Sequence, residues 1–181
     1  MIFTFTNVGL AAVTAKANQG LKAVIAELAL GDASYEPSSS QTSLQNERQR
    51  AAAYGRVTPQ QHTASVQALF VGPEAYAINE AGAFLDDGTL LGVWSKPGVT
   101  LAHKVATDEE NGIDGRFLAD FTIGITPLPA ESISIDETGP NLGLYYAPEF
   151  AAIGLALVRN ADANFNLVED IRQLRRQATT A

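Results

Sequence analysis

Two neighbouring carboxylates, Asp86 and Asp87, and two histidines, His62 and His103, are the side chains best suited by type to acid–base or metal chemistry. Paired carboxylates are what glycoside hydrolysis needs, one to protonate the leaving oxygen and one to activate water or attack the sugar. Asp86-Asp87, however, stands directly before Gly88-Thr89 between two short apolar runs. Aspartate there stabilises a turn by bonding its own backbone, so a structural role is favoured. His62 lies in a polar turn and His103 between apolar residues. Neither has a second strong ligand at metal-binding spacing, so ordinary surface or half-buried imidazoles are expected. The acidic run Asp108-Glu109-Glu110-Asn111-Gly112-Ile113-Asp114-Gly115 has the composition of a calcium loop, but its glycine and closing glutamate fall out of register with that motif. A solvated hairpin tip is the better reading.

The sequence carries no G-x-S-x-G elbow, no G-x-x-x-x-G-K-[ST] phosphate loop and no G-x-G-x-x-G following a strand. It has no cysteine, which excludes disulfides, thiol catalysis and thiolate metal sites. No catalytic residue, cofactor or metal is expected. The formal charge of −8 argues against nucleic-acid binding, which depends on lysine and arginine neutralising phosphates. No apolar run approaches the ~20 residues of a membrane span, and Met1-Ile2-Phe3-Thr4-Phe5-Thr6 lacks the basic start and apolar core of a signal peptide, so synthesis in the cytosol is expected.

The elements that must position these residues centre on the stretch from Ile78 to Val93. Asp87-Gly88 between apolar runs is a strong hairpin signal, because the two central residues of a type I′ turn need φ > 0. Asp86, Asp87 and Gly88 are therefore assigned to the hairpin turn. Gly82 and Gly92, inside the two runs, each mark a bulge or a close approach by another element. Ahead of the hairpin, Ile2, Phe3 and Phe5 suggest a short strand. Thr6 or Asn7 can cap an amphipathic helix from about Val8 to Ala17 that ends at Gly20. Lys22 to Leu30 suits a strand buried on one face and partly on the other. Glu36 to Gln41 is loop, Thr42 to Glu47 suits a helical turn, and Arg48 to Val57 has strand character. Val66, Ala68 and Phe70 lie on a strand antiparallel to it, and further strands are expected near 101–106, 117–125 and 133–135. Strands returning about every ten residues predict an α+β fold: an antiparallel sheet or sandwich with one N-terminal helix.

Composition shifts near Asp136, which divides the chain into a domain over 1–135, a linker over 136–163 and a helix over 164–181. In that helix Asn166 and Glu169 form a capping-box pattern, and Leu167, Ile171, Leu174 and Ala178 are spaced as an a/d seam. The seam could pack on the domain or join copies of the chain, and the two readings weigh evenly. Arg172, Arg175 and Arg176 sit where cations complement a helix C-terminus. Trp94, Tyr145 and Tyr146 are the aromatics that could form a platform for a host glycan, and degradation of a surface polysaccharide through Asp87 is the weakest alternative.

Four pieces in order carry a resemblance: Thr6-Asn7-Val8-Gly9-Leu10-Ala11-Ala12, then Ile25-Ala26-Glu27-Leu28-Ala29-Leu30-Gly31-Asp32, then Thr42-Ser43-Leu44-Gln45-Asn46-Glu47 with Arg50, and Ile78-Asn79-Glu80-Ala81-Gly82-Ala83-Phe84 with Asp86-Asp87-Gly88-Thr89-Leu90. Over residues 6 to 135 the chain resembles the N-terminal domain of phage tail fibre proteins of the tail-collar family. The resemblance implies a structural virion protein, made in the host cytoplasm, that fastens a fibre to the tail baseplate of a contractile-tailed phage and forms a homotrimer. Ile2, Phe3 and Phe5 are candidate baseplate contacts, because aromatics on a free terminus need a cover. Since the chain ends at Ala181, an adaptor or short fibre is expected, with receptor binding on a separate distal polypeptide.

Overall fold

The computed structural model describes residues 2–107, 115–129 and 131–139. Chain contacts define two units, Met1–Pro140 and Asn141–Ala181, and the second lies outside the described residues. Outside the described residues lie the expected linker from residue 140 onward and the C-terminal helix, with the seam Leu167, Ile171, Leu174 and Ala178 and the tyrosines Tyr145 and Tyr146, whereas residues 136–139 at the linker's start belong to the first unit. Most of the acidic run, residues 108–114, also lies outside.

Thirteen elements appear among the described residues: β1 (Thr4–Phe5), α1 (Asn7–Asn18), β2 (Ala23–Gly31), β3 (Glu47–Ala52), β4 (Tyr54–Thr58), a 3-10 turn (Pro59–Gln61), β5 (Thr63–Phe70), β6 (Tyr76–Ile78), β7 (Glu80–Leu85), β8 (Leu90–Ser95), β9 (Ala102–Lys104), β10 (Phe117–Gly124) and β11 (Ile133–Ile135). The larger sheet runs β1-β8-β7-β2-β11, with β3 also paired to β2. A second sheet runs β10-β5-β4, and β6 pairs with β9. The predominantly antiparallel α+β architecture matches expectation, with one exception. β11 lies parallel to β2, Ile133 opposite Ala23 and Ile135 opposite Ile25.

The larger sheet is covered on both faces, which accounts for the unbroken apolar runs in the hairpin. Every residue of β7 and β8 is buried. One face joins Ile25, Leu28 and Leu30 to Val66, Phe70 and Ile123 of the second sheet; the other packs Ala29, Phe84 and Val93 under Leu44. Strands buried on both faces have no polar side to alternate with, unlike β5, where Ala64, Val66, Ala68 and Phe70 point inward between part-exposed neighbours.

Helix α1 begins where Thr6 Oγ1 accepts from Gly9 N at 3.0 Å and ends before Gly20, whose φ of +74° suits glycine. Its buried face is narrow, only Gly9 and Val13, so it is less amphipathic than expected. No helix among the described residues is long and apolar enough to cross a membrane.

Three local expectations are corrected. The run 48–57 is two strands: the chain leaves one sheet at Ala53, where Ala53 N donates to Ala26 O at 2.8 Å, and enters the other as β4. Residues 42–46 form bends in place of a helical turn, because the amides of Gln45 and Asn46 bond a side chain described below. The hairpin turn is not type I′. Gly88 N donates to Leu85 O and Leu85 N to Thr89 O, both at 2.9 Å, and only Gly88 has positive φ, the pattern of a three-residue loop with a glycine bulge.

Candidate functional site

Three of the four pieces that carry the resemblance, those around Gly31, Gln45-Asn46 and Ile78 to Phe84, meet at one carboxylate. Glu80, the first residue of β7, is fully buried. Its Oε1 accepts from Asn46 N at 2.7 Å, and its Oε2 accepts from Gln45 N at 3.0 Å and from the Tyr35 hydroxyl at 2.7 Å. A buried charge costs several kcal/mol unless its lone pairs are bonded, and here they are. The knot extends outward: Gln41 Nε2 donates to the Tyr35 hydroxyl at 2.9 Å, Asn79 Nδ2 to Asp32 O at 2.7 Å, and Asn46 Nδ2 to Asp32 Oδ1 at 2.5 Å. Burial, then the bond to Glu80, raises the Tyr35 pKa far above the ordinary phenol range, so Tyr35 stays a protonated donor. With both oxygens engaged, Glu80 fastens the 35–46 segment across the sheet and is not placed to take a proton from a ligand.

Glycines in and beside these pieces allow close approach to the backbone. A Cβ on Gly31 would stand 2.4 Å from Asn46 O, and one on Gly92 2.4 Å from the Phe3 ring. Gly82 seats Leu44 in the same way, with a Cβ contact of 3.0 Å. Nearby, Arg50 bonds Glu47 and Glu27 at 2.8 and 3.0 Å while its guanidinium lies 3.8 Å from the centre of the Phe84 ring. A second buried ion, Lys104, donates to Gly72 O at 2.7 Å and Glu74 O at 2.9 Å; burial lowers its pKa against the opposing pull of Glu74.

The residues singled out from sequence are dispersed. Asp86 pairs with Lys16, and Asp87 Oδ1 accepts from Thr89 N at 2.9 Å; the Thr89 hydroxyl and amide hold the Asp87 pKa below the usual carboxylate range. His62 and His103 are both exposed, and no group of three or more metal-ligating side chains occurs among the described residues. Trp94 is only 4% exposed, stacked 4.4 Å from Phe121 and with the tilted Phe3 ring 4.3 Å away, so it is core and not a glycan platform. Phe3 and Phe5 join this cluster, their rings 4.8 Å apart, while Ile2 is 85% exposed. Ile2 borders a surface pocket of about 330 Å3 that also includes Thr4, Pro37 and Lys96.

Sequence reasoning passed over Glu80 and Lys104. The signal for Glu80 was present, a lone acid inside an otherwise apolar strand. Lys104, beside the exposed His103 and Val105, offered none.

Among the described residues Glu80 and Lys104 are buried and bonded to the domain's own loops and strands, and the side chains singled out for chemistry are dispersed. The chain belongs to the phage tail-collar fibre protein family: its residues 1–113 match the N-terminal region that defines that family. It is thus a structural protein of the phage tail, associated with other tail components. No curated protein and no solved structure matches it.

Proposed function

We propose that the chain fastens a tail fibre to the baseplate of a contractile tail and connects to a separate receptor-binding polypeptide, after synthesis in the host cytoplasm. The observation that carries this reading is the placing of the family-matched N-terminus. Thr6, fully buried, caps α1 and donates through its amide to Leu91 O at 3.0 Å, so β1 is clamped on the sheet edge and Ile2 projects beside the adjoining pocket. Phe3 and Phe5 support that edge from beneath. Ile2→Asp should leave the melting temperature of the free protein unchanged and sharply lower its incorporation into purified particles, measured by immunoblot. Unchanged incorporation would place the baseplate contact elsewhere.

Trimerisation is assigned to Leu167, Ile171, Leu174 and Ala178. A short helix frays alone, and each Leu or Ile that it buries against partner copies contributes about 1.5–3 kcal/mol. Ile171→Asp is expected to reduce the sedimenting mass from trimer to monomer without loss of the β-sheet circular-dichroism signal. Retention of the parent mass would remove the seam from the interface.

A further inference from the structure

Strands β2 and β3 pair antiparallel, Gly31 opposite Glu47, and about 2–5 residues suffice to join such neighbours. The chain uses residues 32–46 instead, with no helix or strand among them. A connection of that length is as a rule either functional or disordered, and this one is fastened along its course. Ser34 Oγ accepts from Gly98 N at 2.9 Å and donates to Lys96 O at 3.1 Å, Tyr35 N donates to Ser95 Oγ at 3.3 Å, and Ser39 O accepts from Asn7 N at 2.7 Å. Glu80 holds the Tyr35 hydroxyl and the amides of Gln45 and Asn46. A buried ion is weak evidence of net stability, and its best-attested use is to impose one arrangement on the groups around it.

That arrangement sets Glu36 and Pro37, between the bonded Tyr35 and Ser39, on the pocket of about 330 Å3 that Ile2 borders, where Thr4, Ser95 and Lys96 complete the lining. Ile2 and Pro37 supply its apolar part. Glu36 and Lys96 are both exposed, and neither forms an ion pair among the described residues. We propose that the 32–46 loop carries the second half of the baseplate attachment surface: an apolar side chain of the baseplate protein seats between Ile2 and Pro37, and an acid and a base beside it pair with Lys96 and Glu36. This rests on the reading of Ile2 as a baseplate contact, because one pocket joins Ile2 to the loop, and it adds the residues that select the partner. Complementary charges fix register and reject wrong partners more than they add affinity.

The test supplies each variant in place of the parent chain during assembly and reads its incorporation into purified particles by immunoblot, with the Tm of the free protein as the check on folding. Pro37→Asp and Lys96→Glu are each expected to lower incorporation about tenfold at an unchanged Tm, the scale of a lost anchor or a reversed charge at an interface. Thr42→Asp, exposed on the same loop but outside the pocket, should be incorporated like the parent. Where Pro37→Asp does not fold, Glu36→Lys, at an exposed position, takes its place. Parent-like incorporation of Pro37→Asp and Lys96→Glu beside exclusion of Ile2→Asp would overturn the loop's part and leave the Ile2 contact standing. Exclusion of Pro37→Asp beside parent-like Ile2→Asp would retire Ile2 and keep the loop as the contact. Equal exclusion of Thr42→Asp would trace the effect to the loop as a whole and overturn the pocket.

Discussion

Glu80→Ala should lower the stability of the domain by about 4 kcal/mol, the expected result of orphaning the groups that a buried ion holds. The substitution strands the amides of Gln45 and Asn46 and the hydroxyl of Tyr35, all now bonded to the carboxylate at 2.7–3.0 Å. It also leaves a cavity beneath the loop that Leu44 pins to the sheet. Glu80→Gln should cost about half as much, because its amide keeps one acceptor but turns an NH2 toward donors. Urea unfolding followed by tryptophan fluorescence would read both, since Trp94 is buried in the neighbouring aromatic stack. Equal midpoints for wild type and Glu80→Ala would show that the knot contributes no net stability.

Gly9→Ala tests a contest between two effects of opposite sign. Glycine inside a helix costs up to about 1 kcal/mol relative to alanine, so at an open position the substitution would stabilise. At Gly9 the added Cβ would meet Leu91 Cα at 2.6 Å and Leu90 O at 2.7 Å. Both are backbone atoms and cannot swing aside, so α1 must lift from β8, at a cost of about 3 kcal/mol by analogy with overpacked cores. The clash wins, leaving a net loss of about 2 kcal/mol, or a fall in Tm of about 8 °C for a domain of this size. A Tm that rises would mean that the helix is free to retreat from the sheet.

These two sites also show what the sequence makes legible. Local chemistry was readable where it acts over a few residues: the Thr6 cap, the stop at Gly20, the alternation in β5, and the close approaches marked by Gly82 and Gly92. What escaped depends on partners far along the chain. Nothing within 48–57 signals that Ala53 passes the strand from one sheet to the other, because the cue is a bond to Ala26. The parallel pairing of β11 with β2 joins residues more than a hundred positions apart. Residues 42–46 looked helical because their amides were assumed to be available to one another, whereas two are held by Glu80. Of the aromatics weighed as a glycan surface, Trp94 is core, and the position of its side chain in β8 is set by Phe3, just ahead of β1, and Phe121 of β10.

The parallel seating of β11 has a mechanical consequence. A pull directed along the axis of β11 would load its ladder to β2 in shear, its bonds stretched together instead of peeled singly. Because β2 is flanked on its other side by β7 and shares its β11 side with β3, that tension spreads through the middle of the larger sheet before it can reach either hairpin end. A force of that direction loads the domain in the way in which a β-ladder resists rupture best.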